Sequence, residues 1–448
     1  MKLAVVVQRY GAAVNGGAEL HARYIAEHLA RHVEVDVLTT CARDYITWRN
    51  ELPPGAETLN GLTVHRFPVD HERDVRVFAR RTDRVFTERH SHADEIAWLD
   101  SEGPTSTALL QHVRASRHAY DYFIFFSYRY HHAYHGSRAV HDRAVLVPTA
   151  ERDATIGLAV FAPVFRGVRA VMYNSPEERV MINAVSGNAG VPGTVVGVGS
   201  EIVDRPQPDR FRQKFGVTSR FALYVGRIDE NKGCKELFTL FLGSLASLPR
   251  GLDLILVGNP ILPVPSHPRI RHLGFLSDED KFDALAAAEL LVMPSYYESL
   301  SMVTLEAWAL GRPVLVNGRC EVLRGQCIRS GAGLYYDDQA EFVETLRAIS
   351  ENRWLNAALG ANGREFFQRH YAWPIVEQKY LDMIQALVRE DRIGSGVRAL
   401  EPTPGWVARW RRRLPAARDV MALLPAGPVP DGLSDAAPPR RAGSGSDR

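Results

Sequence analysis

Glu298 and Glu306 stand eight positions apart; Ser299, Leu300 and Ser301 follow the first, and the second lies within a largely apolar stretch ending at Gly311. Ionised carboxylates accept strongly from neutral hydroxyls, so such a pair is suited to reading a sugar. The apolar run ahead of them reads as a buried strand over 290–293. The pattern behind predicts a helix opening near 299–301 and stopping at Gly311. Unpaired N–H groups at that start, on residues 299–302, form an anion site able to hold a diphosphate. Eight residues of helix span at most about 12 Å. Glu306 can therefore take the paired hydroxyls of a ribose while Glu298 takes those of a second sugar. Each glutamate alone also fits an ordinary amphipathic helix with an acid near its start. The whole string is harder to read that way.

The elements that must position these residues follow from the hydrophobic pattern. Short apolar runs predict strands at 3–7, 33–38, 63–67, 123–126, 144–147, 170–173 and 195–198, with helical patterns between several of them. The rhythm restarts beyond Arg205-Pro206-Gln207-Pro208, with strands at 221–225, 252–257, 270–273, 290–293 and 313–316 and helices around 235–245, 279–288, 302–310 and 339–349. Alternation of this kind implies parallel sheets covered by helices, an α/β class. We expect two similar Rossmann-like, doubly wound domains facing each other, at 1–200 and 201–372. A helix at 373–392 closes back, and a Pro/Gly/Arg-rich tail at 393–448 is expected to be disordered.

The bulk numbers bound the function. The chain has 448 residues, long enough for two domains, and a net charge of +2, which argues against a nucleic-acid partner. Four cysteines without a CxxC pair fit a reducing compartment. The first apolar run is too short for a signal peptide, so a cytoplasmic location is expected. The tail segment 406–413 is basic and aromatic. It reads as a solvated tail or as a peripheral contact with anionic lipid or a partner.

Glu298, the seven residues after it, Glu306-Ala307 and Gly311-Arg312-Pro313-Val314 together resemble the retaining glycosyltransferases of the sucrose-synthase-like family, family 4. A second match, Leu223-Tyr224-Val225-Gly226-Arg227-Ile228-Asp229-Glu230-Asn231-Lys232-Gly233, precedes it in the family's order. The resemblance covers about residues 1–390 and is stronger in the second domain. It implies the GT-B fold and a nucleoside-diphosphate sugar as co-substrate, with no other cofactor and no catalytic metal. It further implies a glycan or lipid-linked acceptor and a hexose-type sugar transferred with retention. It places Arg227 and Lys232 on the donor phosphates. Gly226 there permits close backbone approach. Gly258, in Leu256-Val257-Gly258-Asn259, and Phe275 fall in strands beside the base. Gly16 and Gly17 fall in an N-terminal loop near the phosphates.

One position departs from the family. Where many relatives carry a histidine near the reacting sugar, this chain has Glu151, after Val147-Pro148-Thr149-Ala150. Glu151 either meets the sugar or pairs with Arg152 or Arg143 as structure. The loop 44–50 suits a sugar acceptor or a packed Trp48. In Ser127-Tyr128-Arg129-Tyr130-His131-His132, Arg129 is the better polar candidate, and adjacent histidines rarely converge on one ion. Ser277 with Asp278-Glu279-Asp280 reads as a helix start, not a metal site. The rivals are a nucleotide-sugar epimerase or hydrolase on the same fold and a non-catalytic nucleotide-binding copy. A dinucleotide-dependent oxidoreductase is disfavoured, because the first strand lacks the tight glycine spacing.

Overall fold

The computed structural model describes residues 1–425 except 15, 249, 250 and 395. Two sheets dominate. The first has eight strands in the order Gly55–Leu59, Leu62–Phe67, Glu34–Thr40, Lys2–Val6, Tyr122–Phe126, Ala144–Val147, Ala170–Tyr173 and Gly193–Val195. All neighbours are parallel except the first pair, a hairpin. That hairpin turns on Asn60 and Gly61, both at positive φ, as a two-residue hairpin loop requires. The second sheet has six parallel strands in the order Ile270–His272, Leu252–Val257, Arg220–Val225, Leu290–Met293, Val314–Asn317 and Gly333–Tyr336.

Both sheets are covered on both faces, which explains the unbroken apolar runs. Phe123, Phe125 and Leu146 enter one core while Tyr122, Ile124 and Val147 enter another on the opposite face. In the second sheet, Leu223, Ile255 and Leu291 alternate in the same way with Tyr224, Leu254 and Leu290. The strand expected at 195–198 is shifted to Gly193–Val195, while Val196 and Val198 are still buried beyond it.

The helix Arg353–His370 packs on the helix Met302–Ala309, where Gly363 leaves room for Trp308. The helix Trp373–Arg392 then returns to the first domain. Val376, Tyr380, Ile384 and Leu387 form its buried stripe and join the core beneath the first sheet. Arg169, buried at the foot of that sheet, holds its far end through Glu390 at 2.8 Å and Asp391 at 2.9 Å.

The tail is ordered further than its composition suggests. Residues Trp406–Arg411 form a short helix, Arg413–Leu414 pair antiparallel with His90–Ser91, and Ala417–Ala422 form another helix. The carbonyl of Ala417 lies against Gly157, where an added Cβ would meet it at 2.2 Å. The expectation of a disordered tail is therefore corrected for these elements. A few buried small residues and the short strand pairing with His90–Ser91 dock a segment whose overall composition looks solvated. The rest of that expectation, 426–448, lies outside the described residues.

Candidate active site

The strand Leu290–Met293 delivers Pro294 and the loop with Glu298 to the carboxyl edge of the second sheet, where ligands bind in open α/β folds. The helix behind opens at Met302, later than the sequence suggested. Ser301 is its N-cap, and its hydroxyl accepts from the Thr304 N–H at 3.4 Å. Leu300 is turned into the core, and the Ser299 hydroxyl accepts from the Asn174 amide of the other domain at 3.3 Å. The glutamates are thus separated by one turn of helix plus a loop, not by eight helical residues.

The loop after strand Arg220–Val225 brings the cations. Gly233 caps the helix Cys234–Ser244 at φ 70°, and a Cβ there would meet the Pro294 carbonyl at 2.0 Å. Only glycine lets this loop lie against the Glu298 loop. As a result the Lys232 ammonium donates to Glu298 at 2.7 Å. Burial disfavours the charge on Lys232, but Glu298 and Glu151 outweigh it and hold its pKa above the usual lysine value. Asp229 organises the loop: it accepts the Lys232 N–H at 2.7 Å and pairs with Arg227. Arg227 also donates to the hydroxyl of Tyr45 in the first domain, at 3.3 Å. Lys232 thus faces the glutamate directly, while Arg227 leans across the cleft towards the loop 44–50.

Glu151 is the first domain's contribution. Ser127 and Thr149, at the ends of adjacent strands, both adopt positive φ and share a hydroxyl hydrogen bond of 2.9 Å. Such strained positions concentrate at functional sites. Beyond them Glu151 enters the field of Lys232 and Glu298. Burial pushes its pKa up from 4.5 to about 7, Glu298 and Asp153 add to this, and Lys232 and Arg129 oppose it. The pairing with Arg152 or Arg143 does not occur. Arg143 donates to the Tyr120 carbonyl, and Arg152 reaches Glu321 and the carbonyls of Leu424 and Pro425.

Glu306 lies inside the helix Met302–Ala309, as expected, and has a partner the sequence did not reveal. It is 4% exposed and accepts from Lys281 at 2.9 Å, and Lys281 reaches Asp278 at 3.2 Å. Burial raises the Glu306 pKa, with Lys281 opposing. Lys281 lies one turn inside the helix Asp278–Ala287, whose N-cap is Ser277. The sequence reading identified that helix start and missed the lysine. A lysine three residues after Asp278 was the available signal, but its partner lies on another helix.

The remaining residues line the rim. Gly226 and Gly258 come together at the strand ends: a Cβ on Gly258 would strike the Gly226 carbonyl at 1.9 Å. Phe275, 62% exposed, extends this edge with an apolar ring. In the first domain Gly16 is the N-cap of the helix Gly17–Leu29. A Cβ on Gly16 would strike the Glu19 carboxylate, which pairs with Arg9 at 2.6 Å; a Cβ on Gly17 would meet nothing within 4 Å. Asn15 lies outside the described residues. Trp48 is packed, donating to the Glu102 carbonyl at 2.6 Å, and Arg129 is held by Glu102 at 3.0 Å and Asp153 at 3.3 Å. A cavity opens beside Glu298, walled by Ala150 and Glu178 from one domain and Tyr297 and Cys320 from the other.

A family profile described as Glycosyl transferases group 1 matches residues 207–366. Among curated relatives, it is 32% identical over 231 residues to a D-inositol 3-phosphate glycosyltransferase of Nocardioides sp., covering 45% of this chain and 48% of that one. It is 28% identical over 240 residues to the lipopolysaccharide core biosynthesis glycosyltransferase LpsE of Rhizobium meliloti, covering 49% and 65%. The chain thus spans about half the length of the curated relatives it matches. Similarity in fold extends further. The sucrose-phosphate synthase of Thermosynechococcus elongatus superposes with a TM-score of 0.63 at 17% identity, over 88% of this chain and 100% of that one. Anabaena HepE in complex with UDP and glucose superposes with a TM-score of 0.62 at 16% identity, over 86% and 100%. The fold of this chain is GT-B.

Proposed function

We propose that this chain transfers a hexose-type sugar from a nucleoside-diphosphate donor to a glycan or lipid-linked acceptor, with retention at the anomeric carbon. One observation carries the reading: Lys232 and Glu298 meet at 2.7 Å beside the start of helix Met302–Ala309, with Glu151 facing them from the other domain. A helix start and a lysine are complementary to a diphosphate. Arg227 adds a second cation once it releases Tyr45. Glu306, its charge balanced by Lys281, accepts ribose hydroxyls, and Glu298 accepts those of the sugar.

In the reaction, the bond from the anomeric carbon to the phosphate oxygen breaks and the nucleoside diphosphate leaves. The acceptor hydroxyl attacks the same face, and its proton passes to the departing phosphate oxygen. Lys232, Arg227 and the helix N–H groups stabilise the charge that develops on the leaving group. Glu151 stands where it can stabilise positive charge on the sugar when ionised, or donate a hydrogen bond when protonated.

The acceptor side includes the loop with Tyr45. The tail adds a surface for a lipid-linked acceptor: Trp406, Val407 and Trp410 are exposed beside Arg409, Arg411 and Arg412. Aromatic rings with arginines suit the interface of an anionic membrane. No helix among the described residues is long and apolar enough to cross one.

A thermal-shift panel of nucleoside diphosphates and their sugars identifies the donor. Transfer is then followed with acceptor present, and the anomeric configuration of the product is read by NMR. The reading requires that Lys232→Ala and Glu306→Ala abolish transfer while both proteins stay folded. Wild-type rates in both purified variants overturn it.

A further inference from the structure

His131 and His132 are neighbours in sequence but not in function. Successive helical residues point about 100° apart, while residues four apart lie on one face. In the helix His131–Ala139, His132 is therefore buried with its ring nitrogens unpartnered, and His131 lies beside His135 with ring centroids 4.4 Å apart. Asp100, from the helix His92–Glu102, reaches towards the same point. Its Oδ1 lies 3.8 Å from Nε2 of His131 and 4.0 Å from Nε2 of His135. One ligand atom from each of the three falls within 4.8 Å of the other two.

We propose that Asp100, His131 and His135 form a binding site for a divalent first-row transition metal, Zn²⁺ foremost, that clamps these two helices together. Two imidazoles and a carboxylate are a known donor set for zinc, with the fourth position left to water. Tetrahedral bonds of 2.0–2.1 Å place ligand atoms about 3.3 Å apart. The observed distances must shrink by roughly half an ångström to an ångström and a half, which rotation of the half-exposed Asp100 and His135 side chains supplies. At 3.8 and 4.0 Å the three groups make no hydrogen bonds to one another, so a metal replaces nothing. His71 and Arg81 also act on Asp100 electrostatically, and Arg81 spends its Nη1 on the Ala97 carbonyl at 2.8 Å. His71 is exposed.

The site lies apart from the cleft but behind its wall. The helix bearing Asp100 also carries Glu102, which holds Arg129, and Arg129 reaches Asp153 near Glu151. Nδ1 of His131 is buried without a partner. A ligating imidazole is normally fixed by a bond to its second nitrogen, and lack of that support weakens binding by about 10–100-fold. A micromolar site is expected.

The test uses the full chain, stripped with chelator and titrated with Co²⁺ and then Zn²⁺. One Co²⁺ per chain should bind with visible d–d absorption and no thiolate charge-transfer band, and Zn²⁺ should displace it and raise the melting temperature. Asp100→Ala and His135→Ala change partly exposed residues, so both should melt like the metal-free wild type. Each should bind at least about tenfold more weakly. Stoichiometric affinity unchanged in both variants, a thiolate band, or no binding at millimolar metal overturns the proposal.

Discussion

Replacing Glu151 by glutamine removes a charge and keeps the shape, and the effect should depend on pH in a defined direction. Burial first, then Glu298 and Asp153, move the Glu151 pKa from 4.5 to about 7 against the pull of Lys232 and Arg129. At about 1.36 kcal/mol per pH unit, that is about 3 kcal/mol held against the ionised form. The folded protein binds this proton more tightly than the unfolded chain, so the penalty is absent below pH 4.5. It grows as pH rises and is fully present above about 7. Water on the open side of the cleft screens part of it, so about 1–3 kcal/mol is expected at pH 8. Unfolding entropy of about 2.1 cal/mol/K per residue over the described chain converts this to a melting temperature about 1–3 °C higher for Glu151→Gln. At pH 4.5 the two proteins should melt together. Scanning fluorimetry of both proteins between pH 4.5 and 8 reads this without knowledge of the donor. An equal gain at every pH, or one larger in acid, would refute the assignment of a buried, proton-holding carboxyl.

Two further outcomes follow from the packing. Lys281→Met leaves Glu306 buried without its partner and should destabilise the second domain by about 3–5 kcal/mol, with the loss smaller in Lys281→Met/Glu306→Gln. Equal losses in the single and double variants, measured by urea unfolding, would show that the pair is not coupled. Gly157→Val should undock the tail, because a Cβ at Gly157 meets the Ala417 carbonyl at 2.2 Å. Trypsin should then cut near Arg411–Arg413 at rates at which the wild-type tail survives; resistance equal to wild type would contradict the docking.

Much of the sheet architecture was legible in the sequence. A strand buried on both faces must be a run of apolar residues, and Ala144–Val147, Ala170–Tyr173, Leu252–Val257 and Leu290–Met293 read off directly. The edge strand Gly55–Leu59 was missed because it is solvated and has no apolar run, although Asn60-Gly61 marked its turn. The strand Gly333–Tyr336 was missed for a related reason: only Tyr336 is fully buried.

The site divides along the same line. Local chemistry marked Glu298 and Glu306, because a glycine-stopped helix is written in a few adjacent residues, and the family resemblance marked Lys232. Partnership was not legible. That Lys281 balances Glu306, that Asp229 holds Arg227, and that Glu151 shares a field with Lys232 depend on chains meeting from distant positions. Composition misplaced the tail, since its docking rests on contacts with distant residues: Ala417 against Gly157 and Arg413–Leu414 beside His90–Ser91. Hydrophobic periodicity is a property of neighbours, so the sequence alone determined the elements and the residue types at their ends. Charge pairing and cleft closure are properties of distances between non-neighbours, and only the packed tertiary structure decided them.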